Sequence, residues 1–157
     1  MGRIVIFDLD GTLANVSHRV PLIDGTFAGW HRYNCACIDD TLYSAVADVA
    51  KALNRQGYEF WVVSGRAVEM MAATRYWFHE YCVVPDRIIL RPIADERPAA
   101  RLKADWLNDG TIPVERVLCV FDDDTDAAWV YRAKGLTCFQ VGHGKPEPLQ
   151  PPPDHVE

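Results

Sequence analysis

Five short apolar runs, separated by stretches of helical spacing, limit the folds open to this chain more than any other feature. The runs are Arg3–Phe7, Glu59–Val63, Arg87–Leu90, Val117–Phe121 and Thr137–Val141. Between the first two, Thr41–Gln56 carries Leu42, Val46, Val49, Ala50 and Leu53 at helical spacing. Asp39 or Asp40 stands where a helix N-cap is wanted, and Gly57 where a helix closes. Ala67–Tyr81 reads as a second helix and Ala99–Asn108, with Leu102, Trp106 and Leu107, as a third. Thr125–Lys134 is a fourth, closed by Gly135. Strands alternating with helices predict an α/β domain: a parallel sheet with helices on both faces. The handedness of crossovers makes it doubly wound and Rossmann-like. Ligands of such sheets bind beyond the carboxyl ends of the strands.

The 157 residues suit one domain, predicted over 1–142, with a Pro-rich tail at 143–157 expected to be poorly ordered. The segment Asn15–Ile38 fits no regular element. It carries His18, Arg19, Trp30, His31, Arg32 and Tyr33 and follows directly on the first strand end. No stretch has the length and apolarity of a membrane span, and the first strand begins too early to leave room for a signal peptide. We therefore expect a soluble, cytoplasmic protein without membrane partners. The cysteines at 35, 37, 82, 119 and 138 are odd in number and scattered, unlike a disulfide framework. Cys35 and Cys37, near His31, lack a second Cys/His pair at a usual spacing, so no structural zinc is expected. A net charge of −6 argues against a basic face for long nucleic acid, but not against a site that grips one phosphate.

The first run ends Phe7-Asp8-Leu9-Asp10-Gly11-Thr12. Alternation along a strand sends Asp8 and Asp10 the same way, and Gly11 permits a sharp turn beyond them. Two such carboxylates repel unless a cation lies between them or one is protonated, which implies Mg²⁺, an acid/base pair, or both. A bare turn, or a fragment of a calcium loop, is the ordinary alternative. The residues that follow do not supply the further oxygen ligands of a calcium loop.

The other strand ends add to the pattern. Val63-Ser64-Gly65-Arg66 offers a hydroxyl, a close backbone approach leading into a helix N-terminus, and a guanidinium suited to phosphate. The plain alternatives are a helix cap and a solvated charge. Asp122-Asp123-Asp124-Thr125-Asp126 follows a buried run. Asp124 can cap the next helix, whereas Asp122 and Asp123 call for a hard cation shared with Asp8 and Asp10. Lys103, on the third helix, gains weight only from its place in the order: Asp-x-Asp, Ser, Lys, Asp-Asp.

That ordered set resembles the haloacid dehalogenase (HAD) superfamily of phosphotransferases over residues 3–141, through Phe7–Leu13, Val63–Arg66, Lys103 and Phe121–Asp123. Within it, the chain is most similar to the phosphatase half of phage-type polynucleotide kinase-phosphatases. Arg19 lies nine residues after Asp10, Arg66 completes the second motif, and Trp129, Gly135, Cys138 and Gln140-Val141 follow the same pattern. Where that family often carries an acid four residues before the lysine, this chain has Ala99. It also lacks a phosphate-binding loop of the kinase type, so a stand-alone phosphatase with a minimal cap is expected.

The resemblance implies a nucleophile, Asp8, a general acid/base, Asp10, and phosphoryl-oxygen ligands Ser64 and Lys103. It implies Mg²⁺ held by the Asp8 side chain, the Asp10 carbonyl and Asp123, with Asp122 in support. Arg19 and Arg66 would grip the substrate, a 3′-phosphorylated nucleotide or oligonucleotide end. The loop itself offers Trp30, Arg32 and Tyr33 to bases and further phosphates of an extended substrate; the plain alternative is that Trp30 and Tyr33 pack the loop onto the domain. The rival readings are a nucleotidase for nucleoside monophosphates and a receiver-like signalling or inactive binding module. Asp10 speaks against the last, because a stable phospho-switch lacks such an acid/base.

Overall fold

β1 (Ile4–Phe7) is buried along its whole length, and the rest of the molecule is arranged about it. In the computed structural model, which describes residues 2–144, β1 pairs in parallel with β4 (Glu59–Ala67) on one side and β6 (Val117–Asp122) on the other. β5 (Arg87–Arg91) extends the sheet beyond β4, and β7 (Cys138–Gln140) extends it beyond β6. The order β5-β4-β1-β6-β7 is that of an α/β sheet wound outward in both directions from its middle, as predicted. The chain leaves β1 toward β4 and leaves β6 toward β7, so the winding reverses between β1 and β6. A crevice opens at the carboxyl ends of strands at such a point.

Strand alternation divides the core. Val5 and Phe7 face α2 (Ser44–Arg55) and α3 (Met71–Glu80), through Ala47, Ala50, Trp77 and Phe78. Ile4 and Ile6 face α4 (Ala99–Asn108) and α5 (Thr125–Ala133), through Leu102, Trp106, Ala128 and Tyr131. Both faces are thus covered, which is why the strand runs are apolar throughout. Gly57 and Gly135 take positive φ just after α2 and α5, as expected of helix closers.

Three boundaries differ from the sequence reading, each for a local reason. Residues Thr41–Leu42 are not helical; they form β3, antiparallel to β2 (Ala14–Asn15), and the Tyr43 N–H donates to the Leu13 carbonyl at 2.8 Å. This holds the backbone extended, so α2 starts at Ser44, and neither Asp39 nor Asp40 caps it. β4 runs on to Ala67, and α3 begins at Met71 after a 3₁₀ turn, so the Gly65 amide does not lead directly into a helix. Asn15–Ile38 does contain regular structure: a 3₁₀ turn at Val20–Leu22 and α1 (Phe27–Cys35), capped by Thr26 Oγ1 accepting from the Gly29 N–H at 3.0 Å. At the end of the described chain, His143 stacks on Tyr43 with ring centroids 3.4 Å apart; the remainder of the tail lies outside the described residues.

Candidate active site

The Asp8 N–H continues the sheet ladder by donating to the Phe121 carbonyl at 2.9 Å, which fixes Asp8 at the β1/β6 crevice. Beyond it the chain turns at once. The Leu9 carbonyl accepts from the N–H groups of Leu13 and Ala14 at 3.0 and 2.8 Å, and Gly11 adopts φ +93°. A Cβ on Gly11 would stand 2.2 Å from Asp123 Oδ2, so the turn requires glycine both for its dihedral and for its neighbour. Thr12 Oγ1 donates to Asp123 Oδ1 at 2.9 Å and accepts from the Asp123 N–H at 3.0 Å, clasping the first strand end to the fourth run.

Asp8 and Asp10 line one cleft, but their carboxylates face different cations. Lys103, buried on α4, donates to Asp8 Oδ1 at 2.8 Å and to Asp122 Oδ2 at 2.6 Å. Asp10 instead receives Arg19 Nη2 at 2.8 Å and the Nε and Nη2 of Arg66. The repulsion expected between the two carboxylates is therefore relieved by separate positive partners. Burial pushes the Asp8 carboxyl well above its usual range, against the pull of the Lys103 ammonium. Burial also favours neutral Lys103, but Asp8 and Asp122 outweigh it and hold the ammonium charged.

The aspartate run divides its labour. Asp122 is fully buried, with Oδ2 on Lys103 and Oδ1 accepting from the Asp124 N–H at 3.0 Å. Asp124 caps α5 by accepting from the Ala127 N–H at 2.7 Å, and Asp123 faces the cleft. One oxygen each from Asp8, Asp122 and Asp123 lies within 4.8 Å of the others. Three hard carboxylate donors that close to one another suit Mg²⁺. The Asp10 side chain is not in that group.

Ser64 is buried beside the cleft with Oγ accepting from the Arg66 N–H at 3.1 Å. Gly65 presses on α4: a Cβ there would meet Ala99 Cβ at 2.7 Å. Residue 99 thus lies against the β4 backbone, and Lys103 takes its acidic partners from strand ends instead.

Arg19 and Arg66, expected to grip substrate, are buried; beside Asp10 they share a second carboxylate, Asp40. Asp40 Oδ1 accepts from Arg19 Nε at 2.7 Å and faces His18 Nε2 at 2.9 Å; its Oδ2 accepts from Arg19 Nη2 at 2.8 Å and Arg66 Nη2 at 2.9 Å. The Asp40 carbonyl accepts from Trp77 Nε1 at 2.7 Å. Thr74 Oγ1 accepts from Arg66 Nη1 at 3.1 Å, and the Tyr33 ring lies under Arg19 at 4.2 Å. Sequence reasoning took Asp40 for a helix cap and missed this clamp. The only signal was an acid preceding a helical period with no cap role left for it once Thr41–Leu42 is extended. Tyr33 and Arg32 are also engaged, the latter with Asp24 at 2.8 Å, whereas Trp30 stays open to the cleft.

The family described as the polynucleotide kinase PNKP phosphatase domain matches residues 2–145. The fold is similar to that of a chain in a Pnkp1/Rnl/Hen1 complex, with a TM-score of 0.75 at 28% identity, covering 92% of this chain and 47% of that one. A chain of the Pnkp1/Rnl/Hen1 RNA repair complex gives 0.78 at 27% identity, covering 92% and 43%. The present chain therefore spans less than half the length of these two. A predicted phosphatase from Clostridium acetobutylicum shares the fold at 11% identity, with a TM-score of 0.67 over 89% of this chain and 84% of that one.

Proposed function

The chain belongs to the polynucleotide kinase PNKP phosphatase-domain family, and on that premise we propose that it is a Mg²⁺-dependent phosphomonoesterase that removes a 3′-phosphate from a nucleotide or polynucleotide end. The observation that carries this reading is the separation of two neighbouring carboxylates into two fields, Asp8 on Lys103 and Asp10 on a pair of arginines, within one cleft. One is suited to attack and the other to move a proton.

An Asp8 oxygen attacks phosphorus, the bond to the substrate oxygen breaks, and Asp10 gives that oxygen its proton. Water then attacks the aspartyl-phosphate, Asp10 takes a proton from it, and inorganic phosphate leaves with Asp8 restored. Lys103 and Ser64 hold the phosphoryl oxygens. Asp8, Asp123 and Asp122 would hold Mg²⁺, which supplies charge neutralisation at those oxygens. Arg19 and Arg66 keep Asp10 at the cleft wall while no substrate is bound. An arriving phosphate dianion competes with Asp10 for their N–H groups, while Asp40 keeps both guanidiniums in place. That exchange frees Asp10 to carry its proton.

The test is a phosphate-release assay with 3′- and 5′-phosphorylated oligonucleotides, 3′- and 5′-mononucleotides and sugar phosphates, with and without Mg²⁺. The expected result is preference for 3′-phosphates and no turnover in Asp8→Asn. Turnover by Asp8→Asn would remove the covalent route. Far better cleavage of 5′-mononucleotides or sugar phosphates would make the protein a nucleotidase or general phosphatase instead.

A further inference from the structure

The cleft has a wall that the phosphoryl chemistry leaves unused. Phe27 and Trp30 stand three residues apart on α1, on the face turned toward Asp8 and Asp10. Phe27 is 88% exposed and Trp30 48%. Trp30 is braced by Tyr33, edge to face at 5.6 Å, and Tyr33 is itself pinned by Arg19. Thr26 caps the helix start just before Phe27, so the pair is presented by an anchored element. Two exposed aromatic residues one helical turn apart, lining the cleft that holds Asp8 and Asp10, are the composition of a binding surface.

The charge of the cleft lining carries the other half of the argument. Glu69, Asp95, Glu96 and Asp124 belong to that lining, a set that repels a polyanion. The basic side chains of the cleft are already engaged. Lys103 and Arg66 serve carboxylates, and Arg91 is turned onto the carbonyls of Gly65, Asp95 and Arg97. Among the described residues lining the cleft, none is a lysine or arginine without a partner to meet a second phosphate. The cavity volume of about 780 Å³ is that of a small-ligand site, ~300–1,000 Å³.

We infer that the Phe27–Trp30 face is a stacking platform for the base of the nucleotide that bears the scissile phosphate, so that the site reads one terminal nucleotide rather than a track of phosphates. This rests on the phosphomonoesterase reading and deepens it to a substrate class. Stacking suits the task because every base offers a π-face, which makes recognition tolerant of sequence. The acidic residues of the lining add no affinity for the rest of a strand.

Binding is read without turnover by calorimetry on Asp8→Asn protein, titrated with adenosine 3′-monophosphate and with a base-free ribose phosphate. Phe27→Ala and Trp30→Ala together should lower the preference for the nucleotide about tenfold or more. Trp30→Phe should restore it. Phe27→Ala alone, at an exposed position, should give a partial loss even if Trp30→Ala disturbs α1. An unchanged preference overturns the platform. In turnover, kcat/KM should vary less than about threefold from a mononucleotide to a hexanucleotide 3′-phosphate, with a shallow salt dependence. A tenfold or greater rise with length, lost in salt, overturns the single-nucleotide reading. Release from none of these substrates refutes the proposed function, while calorimetry still decides the platform.

Discussion

Replacing Asp40 by Asn removes one charge from a buried cluster while keeping its shape, and its cost can be worked from the geometry. The Asp40 carboxylate has no exposed surface and takes three N–H bonds of 2.7–2.9 Å from Arg19 and Arg66, with His18 Nε2 a further 2.9 Å away. An Asn amide must turn its NH₂ toward at least one guanidinium, donor against donor. Two buried cations are then left with Asp10 alone. Breaking a buried ion pair by removing one partner costs ~3–5 kcal/mol. A chain of this length shifts by ~2–4 °C per kcal/mol, so the melting temperature should fall by about 6–20 °C. Circular dichroism melts read this directly. Because Arg19 and Arg66 lose their anchor, KM for the preferred phosphate ester should also rise. The double variant with Arg19→Gln should lose less than the sum of the singles, with a coupling of ~0.5–3 kcal/mol. A fall below about 2 °C with unchanged KM would refute the clamp and return Asp40 to an incidental buried acid.

Chelation should abolish activity and Mg²⁺ restore it, and Mg²⁺ at about a hundred times its Kd should stabilise the protein by ~2.7 kcal/mol; full activity in chelator would refute the Asp8/Asp122/Asp123 assignment. Gly11→Ala should lose most activity and lower the melting temperature, since it strains a φ of +93° and drives a methyl into Asp123; wild-type kinetics would show that the turn yields. Tyr131→Phe should raise stability by ~1 kcal/mol, because the buried hydroxyl has no partner among the described residues; a lower melting temperature would contradict this. Burial, reinforced by Asp10, pushes the Tyr33 phenol up to about 12. The native state therefore keeps a proton that the unfolded chain releases near pH 10, and this contribution to stability is present below pH 10 and lost as pH rises through about 12. The absorbance difference between wild type and Tyr33→Phe should step near pH 12; a step near 10 would place the ring in water.

What was legible in the sequence was whatever follows from a strand and its immediate end. Asp8, Ser64 and Asp122–Asp123 were readable because apolar runs announce where strands stop, and parallel sheets gather those stops at one edge. Asp124 as a cap and the limits of α4 followed from local chemistry as well. Asp40 was not readable. An Asp before a helical period is a fair cap, and the rival use depends on Arg19 and Arg66, each more than twenty residues away in sequence. The same long-range ties give the arginines carboxylate partners that the sequence did not announce: a guanidinium suited to phosphate is equally suited to carboxylate, and here both meet Asp10 and Asp40. α1 was missed because its aromatic face is turned to an open cleft rather than a core, so its pattern lacks the apolar stripe that marks a packed helix.

The two-residue ladder between β2 and β3 joins Ala14 to Leu42 and Asn15 to Thr41. It closes residues 16–40 into a loop whose ends are fastened to each other before the chain returns to the sheet. Between its buried anchors Arg19 and Asp40, the exposed part of such a segment can change length with little penalty to the rest of the domain, since doubling a flexible loop costs only ~0.6 kcal/mol in closure entropy. The stretch that carries Phe27 and Trp30 is thus an exchangeable part. Lineages could rewrite what the cleft accepts by varying the stretch between these anchors, while Arg19 and Asp40 keep their hold beside Asp10.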